Sequence, residues 1–313
     1  MISVAQLDGE HIAALEFSVI TARQFLEHPI VASNFNLSTD MPPFQDPDAH
    51  LTILGSLSSN VGGVQYGAKI AGDLIQVAAR EVIKLAMSST ATRSPHSIAV
   101  NVPSDQVEMF ERSANIGSKE IFRHSQYHLD IPRGVNEDEF LTSLNARDRR
   151  TWMMDVRADL GMDAPAGVED PREIRDEIAP MIADVRSRNG VQTHAVLVEH
   201  ELELWERKHP SARVAFTRRS GDGALVAACL ASIDGGQLHL YDVGLLSDSD
   251  QRGVLYRLTV FLQPLRFAIA HGLSRVHFGY GHDLPKKSRG AVGTSMHTLV
   301  MTNDHFGTYS SPR

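Results

Sequence analysis

A short strand that ends in a glycine-broken, charged turn constrains this chain more than any other stretch. Residues 275–291 read Arg-Val-His-Phe-Gly-Tyr-Gly-His-Asp-Leu-Pro-Lys-Lys-Ser-Arg-Gly-Ala. The opening alternation predicts a strand with Val276 and Phe278 on one face. Gly279 and Gly281 then interrupt the ladder and allow the backbone to approach a ligand closely. An ordinary strand-to-helix turn with a solvated start remains the open alternative.

Polar side chains follow the glycines at once, which makes the turn a candidate site for positioning a ligand. Lys286 can bind a phosphate, a carboxylate or an oxyanion, and Arg289 suits bidentate binding of phosphate or carboxylate. His282 and Asp283 can form an acid/base pair. Turn chemistry explains both of those residue types equally well, and a solvated helix start explains Lys286 and Arg289.

Composition narrows the class of protein. A chain of 313 residues with 42% hydrophobic and 22% charged residues is typical of a globular protein with two medium domains or one large one. The net charge of −8 provides no global attraction for nucleic acid. The single cysteine, Cys229, excludes an internal disulfide and a multi-cysteine zinc site. We find no signal-peptide pattern and no long apolar run, so we expect a cytoplasmic protein without a membrane partner.

Other catalytic and metal-binding motifs do not identify a function for this chain. His124 and His128 have metal-like spacing, but on a strand this spacing places them about 13 Å apart, so we expect no metal site. The sequence contains no Gly-x-Ser-x-Gly, no phosphate-binding Gly-x-x-x-x-Gly-Lys and no His-Glu-x-x-His. Hydrolase, nucleotide-hydrolysing and zinc-protease functions are correspondingly less favoured.

The C-terminal third has the clearest pattern of secondary structure. Hairpin turns at 221–223 and 234–236 predict three antiparallel strands. Apolar spacing predicts a following helix, which Pro264 should kink. The predicted elements are strands 212–218, 224–233 and 237–245, a helix at 254–271, a strand at 275–279 and a final strand at 296–302.

The preceding part of the chain predicts strand–helix units followed by helices. Proline and polar residues at His28–His50 predict a long surface loop. The linker candidate is Gly161–Gly167. The other predicted elements are helices at 13–26, 65–87, 105–116, 136–160, 171–189 and 191–208, and strands at 51–57, 96–102 and 122–131.

The C-terminal order of elements resembles the acyltransferase half of the GNAT superfamily. The turn resembles the Fem-related branch, which includes peptidoglycan-bridge aminoacyl transferases and GNAT proteins of the cellulose-biosynthesis type. In that branch a strand enters a glycine-broken turn with a Tyr-Lys pair and a following arginine. Lys286 and Arg289 match the lysine and the arginine, whereas Pro285 stands where the tyrosine is usual. Ser143–Arg157 is similar to the arginine-rich helix that joins the halves in this branch.

The resemblance implies an α+β, tandem GNAT-like fold with mixed, mostly antiparallel sheets flanked by helices. The implied halves are an N-terminal GNAT-like half at 1–165, with the proline-rich loop, and a C-terminal acyltransferase half at 166–313. The implied function is N-acyl transfer from acyl-CoA or aminoacyl-tRNA to the amine of a small molecule, without a permanently bound cofactor. We slightly favour acyl-CoA, because the chain is acidic. The acceptor, the acyl group and the oligomeric state stay open, as does a catalytically silent metabolite-binding protein.

The resemblance also implies a donor site between the fourth and fifth core strands, here 237–245 and 275–279. Backbone N–H groups from Val243 to Leu245 would hold the donor carbonyl or the pantetheine. His239 or Asp242 would remove a proton, and Tyr280 would protonate the leaving group. Ordinary alternation on a half-exposed sheet is the alternative for His239 and Asp242, and packing is the alternative for Tyr280.

The expected phosphate-binding segment precedes the long helix of the C-terminal half. Gln251, Arg252 and Gly253 provide a helix N-terminus, a cation and a close backbone approach. The second glycine of the usual GNAT loop is missing, and Asp248 and Asp250 would repel phosphate. The sequence therefore predicts a rearranged coenzyme A site, which fits an aminoacyl-tRNA donor equally well.

Overall fold

The computed structural model divides the chain into two compact units. One consists of Met1–Ser125 with Thr294–Arg313, and the other is Gln126–Gly293. The units divide after Ser125 and after Gly293, whereas the sequence analysis expected a division after residue 165. The halves 1–165 and 166–313 stay a prediction. The structure describes residues 2–7, 10–22, 24, 46, 48, 50–54, 65–66, 77–78, 81–83, 86, 96–114, 118–191, 193–209, 212–246 and 251–302.

The first unit is built on strands in the order β1-β2-β3-β5-β12, with β4 paired to β2. Its described pairs are antiparallel except β3 with β5. Its elements are β1 (Ile2–Leu7), β2 (Glu10–Thr21), β3 (His50–Leu54), β4 (Gln65–Tyr66), β5 (His96–Pro103), a 3₁₀ turn (Ser104–Gln106), α1 (Val107–Ala114), the start of β6 (Ser118–Asp130) and most of β12 (Val292–Thr302).

One prediction for this unit is wrong. Residues 13–26 were expected to be helical, but β2 occupies Glu10–Thr21 and pairs with both β1 and β3. Phe17, Val19 and Ile20 favour a strand, and this preference together with pairing on both edges outweighs the helical spacing. The strands expected at 96–102 and 122–131 are confirmed, and the strand expected at 51–57 is confirmed as far as Leu54, beyond which the prediction leaves the described residues. The loop His28–His50 and the helix expected at 65–87 lie mostly outside the described residues.

The second unit carries strands in the order β6-β11-β10-β9-β8-β7. Only β10 and β11 are parallel among its described pairs. Its elements after β6 are α2 (Glu137–Ser143), α3 (Ala146–Leu160), β7 (Ala166–Glu169), α4 (Arg175–Arg188), α5 (Ala195–Lys208), β8 (Arg213–Arg219), β9 (Leu225–Asp234), β10 (Gln237–Leu245), α6 (Arg252–Arg257), a π-helical segment (Leu258–Leu262), α7 (Gln263–Ala270), β11 (Arg275–Gly279) and α8 (Asp283–Lys287).

The fold class expected from the sequence, an α+β fold with mixed and mostly antiparallel strands flanked by helices, is confirmed. The three strands and two hairpins expected in the C-terminal third are present. The helix expected at 136–160 is two helices, because Leu144 adopts an extended conformation and Asn145 begins a new helix as its cap. None of the described helices is long and apolar enough to cross a bilayer.

The sheet of the second unit is covered on both faces. Because side chains alternate between the two faces of β9, Cys229 and Ala231 pack in one core. Ala228 and Leu230 pack in the other core. The first core contains Trp152 of α3 and Phe261 of the π-helical segment, together with side chains of α2 and α7. The second contains side chains of α4 and α5. Covering both faces explains why β9 reads as a nearly continuous apolar run.

The helical run between β10 and β11 is irregular just before Pro264. A π-helical segment, Leu258–Leu262, separates α6 from α7. Pro264 has no N–H to donate, and its ring crowds the carbonyl of Val260 one turn earlier. The structure thus places a π-helical segment just before Pro264, and the kink predicted there stays a prediction. The helical run connects two parallel neighbouring strands.

Gly244 sets how closely α4 packs on β10. A Cβ atom at this position would lie 2.9 Å from both Ile178 Cγ1 and Met181 Cβ. We expect Gly244→Ala to lower the free energy of unfolding by about 1–3 kcal/mol, because α4 must move off the strand. Chemical denaturation measures this change.

Gly221→Ala is the matched control, since a Cβ there would meet no atom within 4 Å. It should change the free energy of unfolding by less than about 0.5 kcal/mol. Equal stabilities of the two variants would contradict the close packing at Gly244.

Candidate active site

The described candidate residues gather around the place where β10 and β11 separate. The two strands pair in parallel at Gln237↔Arg275, Leu238↔Val276 and His239↔His277. Among the described residues their pairing ends there, although β10 continues to Leu245 and β11 to Gly279. The predicted parting of these strands is therefore present, and we call the gap beyond His239 and His277 the cleft.

Two backbone N–H groups of β10 face the cleft. Leu246 N donates to Val226 O of β9 at 3.0 Å, and Gly244 is the register partner of Ala228. Backbone direction alternates along a strand, so the N–H groups of Val243 and Leu245 point away from β9 and toward the side that β11 has left. This is the placement expected of carbonyl-binding donors, and their role stays a prediction.

A β-bulge in β10 directs two consecutive side chains toward helices α4 and α5. The register with β9 shifts between Leu240 and Asp242. Because of the extra residue, Tyr241 and Asp242 both reach the helices α4 and α5. Tyr241 stacks on Trp205 of α5, with ring centroids 4.9 Å apart and an interplanar angle of 10°.

Asp242 is held by two donors. Its Oδ1 accepts the N–H of Val243 at 2.8 Å, and its Oδ2 accepts Arg186 Nη2 at 2.7 Å. Arg186 Nη1 also donates to Glu201 Oε2 at 2.7 Å. Burial raises the pKa of Asp242, while Arg186 opposes the rise. The sequence analysis missed Arg186 and Glu201, because no motif links residues of α4 and α5 to a position on β10.

Three histidines form a row across neighbouring strands at the closed end of the cleft. His128 of β6 is the register partner of His277, which is the register partner of His239. The rings of His239 and His277 stack 4.3 Å apart, and His128 lies 5.9 Å from His277. Burial, with a contribution from His239, lowers the pKa of His277 to about 3.

His239 has the properties of a neutral base. Burial lowers its pKa, which favours the uncharged ring at neutral pH. Its Nδ1 is buried and has no hydrogen-bond partner in the described part of the chain. The role of His239 as a proton acceptor stays a prediction. No cluster of three or more His, Cys, Asp or Glu side chains among the described residues could hold a metal ion.

The turn after β11 requires left-handed backbone geometry. Gly279, Gly281 and His282 have φ angles of 67°, 71° and 48°. Glycine adopts this region without strain, whereas His282 is an uncommon non-glycine case. Lys286 of α8 folds back under the turn and is buried, and its Nζ donates to the carbonyls of Gly279 at 3.0 Å and Tyr280 at 2.7 Å.

Burial gives Lys286 an unusual acidity. It lowers the pKa of the ammonium to about 8, although the nearby Asp283 favours the charged form. Lys286 therefore supports the backbone of the turn. A direct part in catalysis stays a prediction.

Arg289 is enclosed by the protein. Its Nε and Nη2 donate to Asp155 Oδ2 at 2.9 and 2.6 Å, and its Nη1 donates to Pro285 O at 2.7 Å. Its guanidinium carbon lies 4.3 Å from the ring centroid of Phe261, and its carbonyl accepts Trp152 Nε1 at 3.0 Å. These contacts support a structural role, in which Arg289 fixes the end of the turn to α3, and the predicted donor-binding role remains untested.

The other predicted residues of the turn lie at its surface. His282 and Asp283 are exposed, and Asp283 pairs with Lys287 at 3.6 Å. Tyr280 is half-buried. Burial raises the pKa of Tyr241, and Tyr280 adds a small contribution in the same direction.

The predicted phosphate-binding segment begins α6. Gln251 caps the helix, Arg252 follows, and a Cβ on Gly253 would meet no atom within 4 Å. Burial and the neighbouring Arg188 of α4 lower the pKa of Arg252. Leu255, one turn into α6, packs in the same cluster as Leu245 at the end of β10. Residues 247–250, including Asp248 and Asp250, lie outside the described residues.

Comparison with known proteins supports the same assignment. Residues 147–287 match the family described as an acetyltransferase (GNAT) domain. No curated protein matches the chain. The structure of FemX aligns with a TM-score of 0.64 at 12% identity, over 97% of this chain and 88% of FemX.

Two further structures share the fold. The C-terminal domain of a putative lysylphosphatidylglycerol synthetase from Agrobacterium fabrum has a TM-score of 0.56 at 7% identity, covering 92% of this chain and 80% of that one. L-PGS from Bacillus licheniformis has a TM-score of 0.52 at 10% identity, covering 94% and 82%. At these identities the similarity concerns the fold.

Residues 147–287 thus match the GNAT acetyltransferase family, and the predicted resemblance to GNAT proteins with a Fem-like fold is confirmed. The matched segment contains α3, β10, the cleft and Lys286. Family and fold support acyl transfer as the general reaction.

The buried ammonium of Lys286 predicts a pH-dependent stability. Its pKa of about 8 lies below the ordinary 10.5, so the unfolded chain binds this proton more tightly. The free energy of unfolding should therefore rise with pH between these two values, by at most about 3 kcal/mol. Lys286→Met should remove this rise, as measured by denaturation across the alkaline range.

Lys287→Met is the control, because Lys287 is exposed. It should retain the alkaline rise in stability. A rise of the same size in Lys286→Met would show that another group causes it.

Proposed function

We propose that this protein is an N-acyltransferase that moves an acyl or aminoacyl group from an activated donor to the amine of a small molecule. The observation that carries the proposal is the cleft, where Val243 and Leu245 direct their N–H groups toward the side that β11 has left. Two adjacent donors fixed in a strand suit a carbonyl oxygen whose negative charge grows during the reaction.

The reaction has two bond changes. The neutral amine nitrogen attacks the donor carbonyl carbon and forms the new C–N bond, and the carbonyl oxygen gains charge beside Val243 and Leu245. The tetrahedral intermediate then loses the thiolate of coenzyme A or the ribose oxygen of a tRNA. The nitrogen loses one proton to a base, and the leaving group takes up one proton.

Asp242 and His239 are the proposed bases, and Tyr280 is the proposed acid. Asp242 lies against the N–H of Val243, and His239 lies at the closed end of the cleft. Each can receive the amine proton directly or through water. Tyr280 belongs to the turn that follows β11, and in this proposal it protonates the leaving group.

The donor is acyl-CoA or aminoacyl-tRNA, and we favour acyl-CoA. Arg252, with Arg188 nearby, and the N-terminal end of α6 offer positive charge to a phosphate. Gly253 leaves open space beside that end. Aminoacyl transfer stays within the proposal, since one structural neighbour is the C-terminal domain of a putative lysylphosphatidylglycerol synthetase. A small-molecule amine held partly by His28–His50 and a cytoplasmic location also belong to the proposal.

A catalytically silent metabolite-binding protein is the second candidate. It is favoured by one observation, since the carboxylate of Asp242 already accepts the N–H of Val243. A donor carbonyl must displace that carboxylate before it can use the same N–H group. A silent protein would never make this exchange.

Two measurements distinguish these possibilities. Coenzyme A should raise the melting temperature if acyl-CoA is the donor. Transfer in a coupled aminoacylation assay that disappears on RNase treatment would identify aminoacyl-tRNA. The absence of both effects would contradict the proposed transferase and support the silent protein.

Gly253→Leu tests whether the phosphates of coenzyme A bind at the N-terminal end of α6. The open space at Gly253 should accommodate the side chain, and a helix tolerates leucine better than glycine, so the unliganded protein should keep its melting temperature. The larger side chain would block the close approach of a phosphate. The rise in melting temperature with coenzyme A should therefore disappear, as scanning fluorimetry would show.

Leucine at the exposed Gly221 serves as the control and should retain the response to coenzyme A. An undiminished response in Gly253→Leu would place the phosphates elsewhere.

A further inference from the structure

Arg186 joins three elements next to the cleft. It lies near the C-terminal end of α4, and its two Nη atoms donate to Glu201 of α5 and to Asp242 of β10. Only 17% of the Arg186 side chain is exposed, so water contributes little to holding the two carboxylates. One guanidinium is thus shared by two acids.

The same helix contains a second arginine of this kind. Arg175, at the first turn of α4, donates to Glu203 at 3.2 Å and to Glu206 at 3.1 Å. Both of those partners belong to α5, so Arg175 connects only the two helices. Arg186 differs because one of its carboxylates lies on a strand that borders the cleft.

The position of Asp242 depends on this guanidinium. The carboxylate bends back to its own strand, where Oδ1 accepts the N–H of Val243, and Oδ2 accepts Arg186. Val243 directs that N–H toward the cleft, so Asp242 lies at the edge of β10 on the cleft side. Within the described part of the chain, loss of Arg186 would leave the Val243 N–H as the hydrogen-bond donor that holds the carboxylate there.

We propose that Arg186 is a positioning residue of the acyl-transfer site, which holds the Asp242 carboxylate at the Val243 N–H while Glu201 competes for the same guanidinium. This inference rests on the proposed function and extends it to α4 and α5. Arg186 touches no substrate and acts through Asp242.

The competition has an electrostatic signature. Arg186 stabilises the ionised form of Asp242, so its loss should raise the pKa of Asp242. Glu201 destabilises that form by repulsion, so its loss should lower the pKa of Asp242. Removing either partner of the same ion pair should therefore shift one titration in opposite directions, whereas the loss of Arg175, whose partners are Glu203 and Glu206, should not shift it.

The first experiment needs no substrate. The side-chain carboxyl of Asp242 is titrated by NMR in protein carrying ¹³C-labelled aspartate, with Asp242→Asn used to assign the resonance. We expect Arg186→Gln to move the titration to higher pH and Glu201→Gln to lower pH. Arg175→Gln, the matched control from the same helix, should leave it unchanged, and Arg186→Lys should restore part of the wild-type value.

The second experiment uses the donor and acceptor identified for the wild type. We expect Arg186→Gln to lower kcat on the acid side by at least about tenfold, with little change in KM. In Arg186→Gln and in Glu201→Gln, the acid limb of the pH profile should move in the same direction as the NMR titration of Asp242. Arg175→Gln should keep the wild-type profile.

Specific outcomes would overturn the inference. An unchanged titration in Arg186→Gln would do so, as would equal shifts in Arg186→Gln and Arg175→Gln. If Arg186→Gln fails to fold, then Arg186→Lys and Glu201→Gln decide, and an unshifted titration in both contradicts the inference. If no donor supports turnover, the proposed function fails, while the NMR arm still decides whether Arg186 positions Asp242.

Discussion

The early end of the parallel pairing between β10 and β11 is the constraint on which the rest of this site depends. After His239 and His277 the two strands no longer share hydrogen bonds, and backbone groups near the separation need other partners. Lys286 provides them on one side by donating to Gly279 and Tyr280. On the other side, Asp242 accepts the N–H of Val243. Two charged side chains thus replace a missing stretch of ladder, which keeps the cleft open without leaving these groups unpaired.

Burial determines what these charges can do. Arg289 is enclosed by Asp155 and Phe261, so it joins the turn to α3 and has few means of meeting a ligand. Lys286 is also buried, and its lowered pKa shows the cost of charge in that place. The contacts of Lys286 and Arg289 support the backbone of the turn, and their predicted roles in binding or catalysis stay predictions. The backbone groups that face the cleft come from β10.

Local patterns gave the strands and hairpins of the C-terminal third, because alternation and glycine-rich turns act within a few residues. The parting of the strands followed from the family resemblance. Neither source revealed Arg186, which meets Asp242 from 56 positions away along the chain. A contact of that range depends on how α4 lies on the sheet, which Gly244 permits and no short motif records. The helix predicted at 13–26 was wrong for a related reason, since pairing on both edges of β2 outweighed its local spacing.

The histidine row gives the closed end of the cleft its own response to acid. Burial keeps the pKa values of His128, His277 and His239 below that of a free imidazole. Since the unfolded chain takes up protons first, these residues stabilise the fold above the ordinary histidine pKa and destabilise it as the pH falls below that value. Asp130 opposes the lowering of the pKa of His128, and Asp234 opposes that of His239. Arg275 lowers the pKa of both histidines further. Acidification would therefore weaken this part of the sheet at the vertex where the two strands begin to diverge.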